Sequence, residues 1–170
     1  AVGPRPIGDD AKVTKAVVEH LGFEEFRTIG YSGGGPRCLA DLALIENCVK
    51  GIAFAPMVPT DLPDFDPLKN ASDDEKKVLA IVRSWAPDLK ERFLKWQEEF
   101  MAGDPANDFK DADEDTKKWL ETDDAKFRLA QKALAFESGV DGWMLDEYSM
   151  LTPYGFDVST INKPLLIITG

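Results

Sequence analysis

Residues 26–36, Phe26-Arg27-Thr28-Ile29-Gly30-Tyr31-Ser32-Gly33-Gly34-Gly35-Pro36, decide how this chain is read. Phe26 to Tyr31 is apolar and β-prone, and Ser32 to Pro36 joins a tight turn to a proline suited to the first turn of a helix. The stretch predicts a strand, a sharp turn and a helix running to about Glu46. Upstream, the closely spaced Pro and Gly of residues 1–10 predict a loop. Asp9 to Leu21 then predicts an amphipathic helix, with Val13, Ala16, Val17 and Leu21 at helical spacing and Gly22 as its stop. Downstream, Val49 to Ala55, stopped by Pro56, and Leu165 to Thr169, just behind Pro164, are two more short apolar runs. Runs of this kind predict parallel strands buried on both faces, which makes the chain α/β.

Residues 59–150 carry much helix signal and no strand signal, so they read as a helical insertion between a core segment, 1–58, and a return to the core, 151–170. Ser72-Asp73-Asp74-Glu75 is a capping box ahead of Lys76 to Trp85, and Asp88 to Met101, Asp113 to Leu120 and Asp124 to Phe136 are further amphipathic candidates. Trp85, Phe93, Trp96, Phe100, Trp119 and Phe127 recur at helical intervals, so most are expected to be core or the lining of a cleft. Most of the negative charge falls in this insertion, mixed with Lys and Arg as on a solvated face.

The 170 residues include 20 Lys and Arg against 31 Asp and Glu, a formal charge of −11. That balance disfavours nucleic acid and anionic membrane surfaces as partners. No run of about 18 apolar residues is present to span a bilayer, and residues 1–10 lack the pattern of a secretion signal. Cys38 and Cys48 have neither CxxC spacing nor a nearby His, so no metal site and no cofactor are expected, and the two read as buried thiols of a cytoplasmic protein.

Gly30-Tyr31-Ser32-Gly33-Gly34 is a G-x-S-x-G sequence placed between a predicted strand and a predicted helix. In a nucleophile elbow the Ser occupies a strained turn, so the residues two positions to either side, here Gly30 and Gly34, must be small. The turn lifts the hydroxyl above the sheet, and the N–H of Gly33 can meet a developing oxyanion beside the helix N-terminus. The alternatives are a phosphate loop and a plain strand–helix turn whose Ser caps the helix. A P-loop lacks its Lys here, and a GxGxxG fingerprint meets Cys38 where its third Gly should stand.

From these residues outward the sequence resembles the α/β-hydrolase superfamily, and the resemblance covers nearly the whole chain. Residues 21–56, LGFEEFRTIGYSGGGPRCLADLALIENCVKGIAFAP, look like that family's helix, fifth strand, elbow, following helix and sixth strand. The run Ser32 to Pro36 is especially like an esterase-like branch. The helical insertion takes the place of the family's cap domain. Asp141-Gly142-Trp143, Tyr154-Gly155-Phe156-Asp157 and Ile161-Asn162-Lys163-Pro164-Leu165-Leu166-Ile167 are similar to the segment leading from cap to the next core strand. The resemblance implies a partial α/β-hydrolase fold, with flanking helices and an inserted helical cap. It also implies ester or other acyl hydrolysis of a small-molecule substrate, with Ser32 as nucleophile, Gly33 as oxyanion donor and Tyr31 as pocket lining or as a side chain packed beneath the cap.

The resemblance further implies that the catalytic acid and His would follow Gly170, and that the second oxyanion donor and first strands would precede Ala1. The chain is therefore expected to be a fragment truncated at both ends, inactive alone, with self-association through an exposed sheet edge as a linked expectation. The only histidine, His20, precedes the elbow strand and does not match the family's base. Asp61 and Asp64 follow the second strand, where some hydrolases place the acid, but without a base to orient that role is idle, and the Pro-rich stretch favours reading them as loop-capping residues. The alternative reading is a non-catalytic α/β-hydrolase-like chain that binds a small apolar ligand or a partner chain.

Overall fold

Three short strands, β1 (Phe26–Tyr31), β2 (Cys48–Phe54) and β3 (Leu165–Ile168), form a parallel sheet in the order β1-β2-β3. The computed structural model describes residues 3–56, 69–102 and 112–169. Helix α1 (Asp10–His20) precedes β1, and α2 (Gly34–Leu44) joins β1 to β2. The chain divides into two compact units, Ala1–Ala86 with Leu145–Gly170, and Pro87–Met144. The fold is thus α/β, with parallel strands and flanking helices.

In the first unit, α2 is the helix that packs on the sheet, and its glycine-facing positions explain how closely it does so. A Cβ at Gly51 of β2 would meet Cys38 Sγ and Leu42 Cδ1, both at 2.8 Å. The core gathers around that contact: Ile7, Ala11, Cys38, Ala40, Leu42, Ile45, Cys48, Ala53 and Tyr154 are buried together. Each large apolar side chain buried this way is worth about 1.5–3 kcal/mol. The opening loop contributes to this core, since Ile7 lies in a short 3₁₀ turn, Ile7–Asp9, and Gly8 donates its N–H to Tyr154 O at 2.8 Å. Behind α2, Lys163 Nζ donates to Ile45 O at 2.6 Å, which places a cation at the carbonyl end of the helix.

The strands depart from the sequence expectation of burial on both faces. Register places Ile29, Ile52 and Leu166 in one row and Tyr31, Phe54 and Ile168 in a second, on the face away from α2. Ile29 is 68% exposed and Tyr31 76% exposed, so this face is uncovered among the described residues. An apolar run records that a strand has two apolar faces; it cannot record which residues cover the second one. Helix α1 shows the same limit. Ala11 and Val18 are its buried residues, whereas the stripe of Val13, Val17 and Leu21 read from the sequence is exposed.

Within the core, Asp41 is a buried carboxylate that accepts a hydrogen bond from Thr28 Oγ1 at 3.0 Å. Desolvation raises its pKa from the ordinary carboxylate value, against the hydrogen bonds from Thr28 and Thr14, which pull it down, while the charge of Asp10 pushes it further up. The protonated form is therefore favoured by folding, and stability falls as pH rises from about 4 through the raised native value. Asp41→Asn, which keeps an acceptor for Thr28, is expected to flatten that slope in urea denaturation series run across pH. An unchanged slope would assign the pH dependence elsewhere. Burial also pushes the thiols of Cys38 and Cys48 up, Cys48 to about 11.

Helix α3 (Asp73–Arg83) completes the helical part of the first unit together with the C-terminal half of a later helix. Its capping box forms as the sequence indicates. Ser72 N–H donates to Glu75 Oε2 at 2.6 Å, and Glu75 N–H donates to Ser72 Oγ at 3.2 Å. In the second unit, α4 (Leu89–Ala102), α5 (Glu114–Leu120) and α6 (Asp123–Ala135) match the predicted helices to within a few residues. Phe93 is buried there, edge-on to Trp96 and Trp143. Phe127, expected to be core or cleft lining, is exposed. Helix α7 (Asp141–Leu151) is absent from the sequence expectation, because its apolar residues are spread around the helix and leave no single stripe to detect.

Candidate active site

The turn after β1 is fixed by one bond to β2 and one within itself. Ser32 N–H donates to Phe54 O at 2.9 Å, extending the β1–β2 ladder by one bond, and Gly35 N–H donates to Ser32 O at 2.9 Å, closing the tight turn into α2. Between these bonds Ser32 adopts φ +51, the left-handed region that a side chain enters only at a cost in free energy. Gly30 permits the turn: a Cβ there would collide with the Gly34 carbonyl group and stand 2.8 Å from Gly35 N. Gly34 does not carry the same restriction, since a Cβ on it would meet nothing within 4 Å. Of the two positions that flank Ser32 at a distance of two residues, only Gly30, on the strand side, is therefore held small by its surroundings. Gly35, one position on, is packed so that a Cβ would stand 2.6 Å from Pro56 Cβ.

Ser32 is exposed, and its hydroxyl makes no hydrogen bond among the described residues. Nor does it cap α2, whose N-cap residue is Gly33 with no side-chain bond to the helix. The plain capping turn considered from the sequence is thereby set aside. Gly33 has φ −61 and ψ −16, already helical, so its N–H and those that follow belong to the positive end of α2. The amide next to the Ser32 hydroxyl, at the carboxyl end of β1, is that of Gly33; Gly35 N–H is already bonded to Ser32 O, and Pro36 has no N–H.

The groups behind the turn were not legible in the sequence. Arg37, in the first turns of α2, donates from Nη1 to Gly33 O at 2.7 Å, from Nε to Asp10 Oδ2 at 2.8 Å and from Nη2 to Asp146 Oδ1 at 2.6 Å. Arg5 Nε donates to the other oxygen of Asp10 at 3.0 Å. Met150, also on α7, lies so close that a Cβ on Gly33 would stand 2.8 Å from its Sδ. Asp146 and Met150 come from the unpredicted helix, which is why no local pattern pointed to them.

The remaining candidates are dispersed. His20 closes α1 and is exposed, and the N-terminal end of β1 lies between it and the turn. The six residues of β1 rise about 3.3 Å each, so the strand spans about 20 Å from its start to the turn. His20 is on a different element from the turn, and its place in the sequence does not match the family's base. Asp61 and Asp64 lie outside the described residues. Tyr31 points onto the uncovered face of the sheet, not beneath a described helix. Among the described residues no three His, Cys, Asp or Glu side chains are arranged to hold a metal, and no helix is long and apolar enough to cross a membrane. Strands β1 and β3 are both edges, and an open edge of this kind can accept a further strand.

Comparison with models of protein families, with curated proteins and with solved structures finds no match to this chain.

Proposed function

We propose that this chain carries the nucleophile turn of an α/β-hydrolase-type serine hydrolase with esterase-like activity. The observation that supports the reading is the backbone of Ser32: φ +51 at a strand-to-helix turn, with an exposed hydroxyl and a glycine on the strand side that no larger residue could replace. A left-handed Ser at that place costs stability, and its hydroxyl contributes no bond among the described residues in return, which is the balance expected where chemistry fixes the residue. In the reaction, Ser32 Oγ attacks the acyl carbon of a small-molecule ester, its proton passes to a base, and Gly33 N–H stabilises the oxyanion. The base returns the proton to the leaving alcohol, and water then releases the acyl group from Ser32 by the same steps. In the proposal residues 59–150 are the helical cap domain of the family, and Tyr31 lines the pocket. Two buried free thiols suit a reducing, cytoplasmic setting.

The mechanism needs a histidine base and an acid, and His20 is the single histidine of these 170 residues. The reading therefore requires that the base be supplied by polypeptide other than this stretch. A fluorophosphonate probe tests it, because such probes form a stable adduct with an activated serine. In protein isolated from its natural source, peptide mapping is expected to place the adduct on Ser32; intact source protein without an adduct would refute the reading.

A second reading has its own observation. The uncovered rows Ile29, Ile52, Leu166 and Tyr31, Phe54, Ile168, beside an open β1 edge, suit a non-catalytic chain that binds an apolar ligand or partner strand. Absence of an adduct, together with concentration-dependent mass by light scattering, would favour it.

A further inference from the structure

We infer that Arg37 is the positioning residue of the Ser32 turn; the inference rests on the reading of Ser32 as nucleophile. Three consecutive glycines, Gly33 to Gly35, follow Ser32, and α2 begins there without a side-chain cap. Glycine gives up more conformational freedom on folding than any other residue, so a run of three is the least self-determined part of the turn. Something must hold the Gly33 peptide if its N–H is to keep one direction.

Arg37 meets that need by geometry. Its Nη1 holds the Gly33 carbonyl at 2.7 Å, while Nε and Nη2 are tied to Asp10 and Asp146, one at the start of α1 and the other on α7. The side chain is only 29% exposed, and Arg5 braces Asp10 from the far side. A planar guanidinium with three donors in use cannot rotate without breaking all three, so the Gly33 carbonyl is held against two separate helices. Met150 closes the adjacent space over Gly33. The two cations, Arg5 and Arg37, face two anions, Asp10 and Asp146, and the group is neutral as a whole. Its effect on Ser32 is therefore one of placement and not of field.

The test compares the source protein with its Arg37→Met, Arg37→Lys and Asp146→Asn variants, reading the saturating labelling rate and the half-saturating concentration of a fluorophosphonate probe separately. Arg37→Met is expected to lower the saturating rate by about 10–100-fold, the scale on which small misplacements act, and to leave the half-saturating concentration within about twofold. Arg37→Lys is expected to recover part of the rate, because an ammonium reaches the Gly33 carbonyl but cannot fork to both carboxylates. Asp146→Asn, exposed and remote from the core, is expected to lose about threefold and carries the test if Arg37→Met does not fold. Hydrogen exchange in the source protein supplies a readout free of catalysis. The Gly35 amide, bonded to Ser32 O, is expected to exchange about tenfold faster in Arg37→Met while Ala53 in the central strand is unchanged. Equal labelling rates in wild type and Arg37→Met overturn the positioning role and leave the nucleophile reading intact. A wild-type protein that forms no Ser32 adduct overturns both.

Discussion

Gly30→Ala is expected to destabilise the protein by about 4 kcal/mol, a large share of the roughly 5–15 kcal/mol that keeps an ordinary domain folded. The methyl group would enter space held by the Gly34 carbonyl and by Gly35 N, which are backbone atoms and cannot swing aside as a side chain would. Relief requires moving the start of α2. That start is tied to the sheet by the Gly35-to-Ser32 and Ser32-to-Phe54 hydrogen bonds and is packed against Pro56. A shift therefore breaks several contacts together, which places the change at the upper end of overpacking penalties. Gly34→Ala is the matching control. Its Cβ meets nothing within 4 Å and the position is the first residue of a helix, so the substitution is expected to be neutral or to gain up to about 1 kcal/mol from helix propensity. Urea denaturation of both variants followed by circular dichroism checks the pair. Similar losses at the two glycines would show that the turn is restricted on both sides of Ser32.

How far the sequence reaches can be judged from these same residues. The order strand, turn, helix, strand over residues 26–54 was legible because each piece is signalled locally: a β-prone run, a glycine-rich turn, a proline at the first helical turn and a second apolar run. The Ser72 capping box was legible for the same reason, since both partners lie within four residues. What escaped depends on neighbours distant in sequence. The exposed stripe of α1 and the open rows of the sheet have the composition of buried faces, and no residue within them records whether a cover is present. Helix α7 was missed for lack of a stripe, and with it the two side chains, Asp146 and Met150, that reach the turn. Arg37 was visible as a letter, but its three partners lie 27, 4 and 109 positions away, and only the fold brings them together.

Ser32→Gly is expected to separate chemistry from stability at the turn. On the proposed mechanism the substitution removes the nucleophile, and activity of the source protein falls by about 10⁶-fold, the scale seen when a protease loses its serine. The same substitution removes a Cβ from a residue held at φ +51, so the folded state is relieved of left-handed strain. Part of that relief is offset by the larger freedom of glycine in the unfolded chain, leaving a net gain of up to about 1 kcal/mol. Ser32→Ala supplies the other half of the comparison: it loses the hydroxyl, which makes no hydrogen bond among the described residues, and keeps the strained Cβ. Its activity is expected to fall as far as that of the glycine variant, with stability within about 0.5 kcal/mol of wild type. The two variants therefore share one outcome and differ in the other. A serine retained for folding would give the reverse pattern, with activity surviving in Ser32→Ala, or with Ser32→Gly less stable than wild type. Either result would mean that the left-handed turn is there for the backbone, and that the strain at Ser32 has no part in acyl transfer.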